Sequence, residues 1–205
     1  MIEARTLAQI LPQAENTPVS LLDWRQSYGG ILLEEMAALL KVARVINPSL
    51  AFEIGTFQGE TTLQLAVNCR AEIHTLDLSP AGHPGHDAAG RPSDPELDVY
   101  PDVPGERFAS YSGPSRIVQH YGDSRTFDYS PFARRAQLVF VDGCHHEEFA
   151  ASDSEHALRL AAPGGAVLWH DYADYAPGVM RALDRLAERV RLWRIAGTSL
   201  VLHLA

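Results

Sequence analysis

From residue 50 onward, short apolar runs recur at intervals that alternate with helical segments, and this rhythm limits the chain to very few architectures. The runs are 50–54 (LAFEI), 72–78 (EIHTLDL), 116–121 (RIVQHY), 137–142 (QLVFVD) and 166–170 (AVLWH). They are nearly continuous in apolar character, as expected of strands buried on both faces of a parallel sheet. Helical periodicity occupies roughly 59–68, 146–161 and 177–190 between and after them. Strand and helix in alternation predict a doubly wound, mostly parallel α/β fold. The last two runs, 191–195 (RLWRI) and 199–204 (SLVLHL), flank Gly197 and predict an antiparallel hairpin at the sheet edge, for seven strands in all.

The 205 residues suit one such domain, over 49–205, preceded by a helical extension over 1–48. Within the extension, 3–11 reads as a short helix and 31–46 as a longer one, with Leu32, Met36, Leu39, Leu40 and Ala43 on one side and Pro48 as its stop. This extension is expected to carry substrate or subunit contacts. Residues 79–115 break the rhythm with Pro, Gly, Asp and Ser. A loop that long in a compact domain is expected to be a lid or substrate loop, the alternative being an insert without chemical importance. The formal charge of −9 argues against a nucleic-acid backbone or an anionic membrane as partner and leaves a small molecule or another protein. The sequence has no apolar stretch of about 18 residues to span a membrane. Its N-terminus does not read as a secretory signal, so the cytoplasm is the expected location. Cys69 and Cys144 are too few for a disulfide framework.

In a doubly wound sheet, ligands bind outside the C-terminal ends of the strands. The first strand ends at Glu53-Ile54-Gly55, and a tight turn through Thr56 to Gly59 opens a helix whose free N–H groups can face an anionic group. The pattern is E-x-G-x-x-x-G. It lacks the middle glycine of a nicotinamide site and the G-K-[ST] of a nucleoside triphosphate site. Asp77, 22 residues after Gly55, ends the second strand and can accept both hydroxyls of a ribose, or simply cap a loop. Asp123 and Ser124 follow the third strand and can meet an adenine amino group and ring nitrogen, or form a turn or helix cap.

These residues carry a resemblance. Phe52-Glu53-Ile54-Gly55-Thr56-Phe57-Gln58-Gly59, Leu76-Asp77, Gly122-Asp123-Ser124, Val141-Asp142-Gly143-Cys144-His145, Pro163-Gly164-Gly165 and Trp169-His170-Asp171-Tyr172 stand in the order found in class I S-adenosylmethionine (SAM)-dependent methyltransferases. The stretch 29–204 looks most like the small-molecule O-methyltransferase group that includes the macrocin and cephalosporin-pathway enzymes. The resemblance implies a Rossmann-like seven-stranded sheet with an antiparallel C-terminal edge strand. It also implies that Glu53, Gly55, Thr56 and Gly59 surround the methionine part of SAM, that Asp77 binds ribose, and that Asp123 and Ser124 flank adenine. Asp142 would lie beneath the methionine moiety and the reacting centre. Relatives are often dimers or larger, so a homo-oligomer is expected.

The fourth strand ends at Asp142 and the fifth at His170-Asp171, and neighbouring strand ends lie close together. Two carboxylates and an imidazole suit a divalent cation, Mg²⁺ or Mn²⁺, with Fe²⁺ or Zn²⁺ conceivable; otherwise His170 and Asp171 form a capping and hydrogen-bonding pair. Catechol O-methyltransferase-like relatives hold Mg²⁺ at these strand ends with acidic and amide groups, and His170 departs from that pattern. They also place a lysine at the spacing where this chain has His145. His145 is the first choice for the base that deprotonates a hydroxyl acceptor, with His146 second. Cys144 reads as a packing residue, Trp169 as core, and Tyr172 as a residue that could line an aromatic acceptor. The leading expectation is methyl transfer to a small-molecule hydroxyl. The alternatives are metal-independent N-methylation and a SAM-binding protein without catalysis.

Overall fold

The computed structural model describes residues 2–27, 29–79 and 103–205. Eight strands form one sheet: β1 Ala4–Arg5, β2 Leu50–Ile54, β3 Glu72–Asp77, β4 Arg116–Tyr121, β5 Ala136–Val141, β6 Ala161–Trp169, β7 Trp193–Ile195 and β8 Val201–Leu204. Their spatial order is β1-β7-β8-β6-β5-β2-β3-β4, parallel except where β8 pairs antiparallel with β6 and β7. The expected doubly wound architecture and its C-terminal hairpin are present. An eighth strand of two residues extends that side, where β1 pairs in parallel with β7. The segment 3–11 is therefore part strand and part helix rather than a single helix.

The helices are α1 Leu7–Ile10, α2 Leu33–Ile46, α3 Glu60–Asn68, α4 Glu147–Leu160 and α5 Pro177–Leu186. Alternation along β2 divides the core: Phe52 and Ile54 join one apolar cluster with residues of α4 and α5, while Ala51 joins the other with residues of α2 and α3. The result is a helix–sheet–helix sandwich. Asn47 ends α2 in the left-handed region (φ +50°), and Pro48 prevents its continuation. Leu32, placed on the apolar side by periodicity, precedes α2 and is exposed. Its place in the packing is taken by Ile31.

Strand order reverses between β2 and β5: β3 and β4 follow β2 outward on one side, and β6 follows β5 on the other. That switch point brings the turn after β2 beside the turn after β5. Of the insert 79–115, residues 80–102 lie outside the described residues. The rest folds back on the first turn, with Gly105 and Arg107 donating their N–H groups to the carbonyls of Phe57 and Gln58. Among the described residues no helix is long and apolar enough to cross a membrane.

Candidate active site

The turn after β2 is shaped by two glycines in the left-handed region, Gly55 (φ +98°) and Gly59 (φ +86°). A Cβ on Gly55 would lie 1.9 Å from the carbonyl oxygen of Asp142. The sequence suggests that this glycine makes room for a ligand. In the structure it makes room for the neighbouring strand-end turn. A Cβ on Gly59 would meet the Phe108 ring at 2.6 Å, so the returning insert also lies against the turn. Asp77 holds the turn from the adjacent strand end: its Oδ2 accepts the N–H groups of Thr56 (2.9 Å) and Phe57 (2.7 Å).

Glu53 lies beneath the turn, 1 % exposed. Its Oε2 accepts from Thr62 and, at 2.6 Å, from Thr75, whose hydroxyl also meets that of Thr56. Burial pushes the Glu53 carboxyl up to about 8, with the charges of Asp142 and Asp77 adding to the rise. Glu53 Oε1 and Gln119 Oε1 are buried without a hydrogen-bond partner among the described residues. After β4, Asp123 accepts from the Arg125 backbone N–H and guanidinium, which hold its carboxyl below the usual range. The Ser124 hydroxyl bonds Asp153 on α4, a carboxyl that burial pushes up to about 6.

The ends of β5 and β6 form a second cluster. His170 is buried, and its Nδ1 lies 3.0 Å from Asp142 Oδ1 and 3.1 Å from Asp171 Oδ1. Its Nε2 lies 2.9 Å from Glu35 Oε2. His145, partly exposed, sets its Nε2 2.8 Å from Asp171 Oδ2, and the Tyr175 hydroxyl donates to Asp171 Oδ1 at 2.7 Å. Burial by itself would lower the His170 pKa; the Asp142 charge and the bonds to Asp142, Asp171 and Glu35 outweigh it and hold the group well above its ordinary value. Burial would likewise raise Asp171, and the His145 and His170 hydrogen bonds outweigh it, so its carboxyl is held well below the usual range. Asp171 itself sits at φ +63°, uncommon for a residue with a Cβ, which turns its side chain back toward His170.

The structure thus joins the four residues in a chain of contacts, His145 to Asp171, Asp171 to His170 and His170 to Asp142. His146 is exposed and starts α4. Cys144 is partly buried. Trp169 is core and donates to Ser154. Tyr172 is core too, its hydroxyl on Asp184, so it does not line an acceptor site. Sequence reading missed Glu35. Its signal was position: three residues after Leu32 and four before Leu39, an acid on the apolar side of α2.

Comparison with known proteins agrees with this geometry. A family described as methyltransferase domain matches residues 52–172. No curated protein matches the sequence. Among solved structures, the O-methyltransferase TomG from Streptomyces achromogenes, involved in tomaymycin synthesis and in complex with SAM, aligns with a TM-score of 0.61 at 18% identity, over 100% of this chain and 92% of its own. A Podospora anserina methyltransferase bound to S-adenosylhomocysteine aligns with a TM-score of 0.60 at 15% identity, over 86% and 80%. An O-methyltransferase from Bacillus cereus, also with S-adenosylhomocysteine, gives 0.54 at 13%, over 87% and 84%.

Proposed function

The chain belongs to the methyltransferase-domain family, and on that premise we propose that it transfers the methyl group of SAM to a hydroxyl oxygen of a small molecule. The observation that carries this reading is the contact of the two turns. Because only a glycine at 55 lets the Asp142 carbonyl approach, the glycine turn and the carboxylate–histidine cluster lie side by side, as a cofactor and its acceptor would require. Bound SAM supplies an activated methyl and its own leaving group, so the protein's tasks are to position the acceptor and take its proton.

In this reading the turn 55–59 and Asp77 receive the methionine and ribose parts of SAM, and Asp123 and Ser124 receive adenine. The unmet acceptor Gln119 Oε1 suits a ligand that brings hydrogen-bond donors, as SAM does with its ammonium group. His145 takes the acceptor's proton, with Asp171 orienting its ring through Nε2. The spacing around His170 also suits a divalent cation. An octahedral ion with bonds of about 2.1 Å sets adjacent ligand atoms about 3.0 Å apart, and Asp142 Oδ1 and Asp171 Oδ1 stand 3.0 and 3.1 Å from His170 Nδ1. One donor atom from each of the three residues falls within a 4.8 Å group. Mn²⁺ accepts an imidazole more readily than Mg²⁺ does. Such an ion would make an acceptor hydroxyl more acidic.

One observation favours a second reading, metal-independent transfer to nitrogen. With carboxylates at both ring nitrogens, a protonated His170 would itself offset the acidic cluster. Calorimetric titration with S-adenosylhomocysteine tests the core proposal, and absence of binding would refute it. Activity abolished by EDTA and restored by Mn²⁺ or Mg²⁺ selects the metal-assisted reading, whereas activity indifferent to EDTA selects the second.

A further inference from the structure

Glu35 lies on α2, outside the segment matched by the family, and 135 residues from the histidine it touches. It is a buried carboxylate, 4 % exposed, with four hydrogen-bond partners on its two oxygens. Oε1 accepts the Ser199 N–H and the Ser199 hydroxyl, both at 2.7 Å. Oε2 accepts the Leu32 N–H at 3.1 Å and faces His170 Nε2 at 2.9 Å. An acid at this helical position is ordinarily explained by capping alone. Here the capping bond uses one lone pair of Oε2, and the ring nitrogen meets another.

We propose that Glu35 is a positioning residue that fixes the tautomer of His170 and so builds the cation site from outside the catalytic segment. This rests on the metal-assisted reading above. A carboxylate only accepts, so His170 must present Nε2–H to it. Nδ1 faces Asp142 Oδ1 and Asp171 Oδ1 just as closely, so it too carries a proton while no cation is bound; a cation entering there would displace that proton, and the Nε2–H held by Glu35 would keep the Nδ1 lone pair for the ion. This is the carboxylate–histidine–metal relation in which an outer residue sets the ligand's orientation. Two anchors keep Glu35 from turning away, because the Ser199 N–H and the Leu32 N–H are backbone donors that cannot swing to other acceptors.

The amide isostere makes the proposal sharp. In Glu35→Gln the charge is lost and one backbone N–H, of Ser199 or of Leu32, must face the NH₂ group, and the carboxylate that held Nε2–H is gone. His170 then loses the outer anion that fixes its Nε2 proton and strengthens Nδ1 as a ligand. We expect Glu35→Gln to bind Mn²⁺ about 10–100-fold more weakly than wild type, measured by calorimetry, with S-adenosylhomocysteine affinity within about twofold as the check that the fold is intact. A measurement on the wild type stands beside this in case the variant does not fold. In ¹⁵N-histidine spectra of the Zn²⁺-loaded protein, with the resonances assigned through His170→Gln, Nε2 should be protonated and Nδ1 ligated. Wild-type Mn²⁺ affinity in Glu35→Gln, or a proton on Nδ1 in the loaded wild type, overturns the role of Glu35 and leaves the metal reading standing. A wild type that binds neither Mn²⁺ nor Zn²⁺ removes the metal reading, and this role with it.

Discussion

The two halves of the site are built in different ways. The turn after β2 is held chiefly through backbone: two glycines in the left-handed region, and two consecutive N–H groups, of Thr56 and Phe57, on one Asp77 oxygen. The cluster after β5 and β6 is held by side chains: Asp142, His145, His170 and Asp171 joined to one another and tied to Glu35 on a distant helix. A backbone-built half demands particular residues at particular local spacings. A side-chain-built half demands only that the right groups arrive at one place. The first kind is conspicuous in sequence, and the second is not.

If the halves are separable, their variants should fail differently. His145→Ala is expected to lower kcat about 10²–10⁴-fold, the usual weight of a general base, while S-adenosylhomocysteine affinity stays near wild type by calorimetry. A parallel loss of cofactor binding would break the distinction. Gly55→Ala is the exception that should damage both halves at once, since its Cβ falls 1.9 Å from the Asp142 carbonyl at a φ of +98°. Overpacking of this kind costs about 3 kcal/mol, to be read from urea unfolding. Asp77→Ala removes one charge-assisted acceptor from two N–H groups and should weaken S-adenosylhomocysteine binding about 10-fold to 100-fold, with Mn²⁺ affinity unchanged.

A pH-dependent effect concerns Glu53, beneath the first half. Its carboxyl is raised to about 8 in the folded protein from an ordinary value of 4.5, through burial first. Between those values the folded state keeps a proton that the unfolded state has lost. Its contribution to stability is therefore fully present below about 4.5 and lost as pH rises through about 8, with a slope of up to about 1.4 kcal/mol per pH unit. Urea midpoints from pH 5 to 8 should show this decline, and Glu53→Gln should flatten it. An unchanged slope in the variant would place the titration elsewhere.

The strands of the sheet illustrate how far sequence carries. The run at 50–54 coincides with β2, because a strand buried on both faces leaves an unbroken apolar signature, and the run at 116–121 coincides with β4 although this edge strand is only partly buried. β6 is longer than its run, since Pro163, Gly164 and Gly165 precede the run yet lie within the strand, where a Cβ on Gly165 would be 2.7 Å from the Gln137 carbonyl. β1 has only two residues and no pattern of its own; it exists because β7 offers an edge.

Sequence alone determined the parallel sheet, the glycine turn and the carboxylates and histidines at its strand ends, since each follows from local spacing and residue type. Only the tertiary structure decided that Gly55 makes room for the Asp142 carbonyl, that Glu53 is buried beneath the turn, and that Glu35 reaches His170. Those depend on which segments meet after the sheet closes at the switch point between β2 and β5, and contact between residues 35 and 170 leaves no periodicity in the chain to announce it.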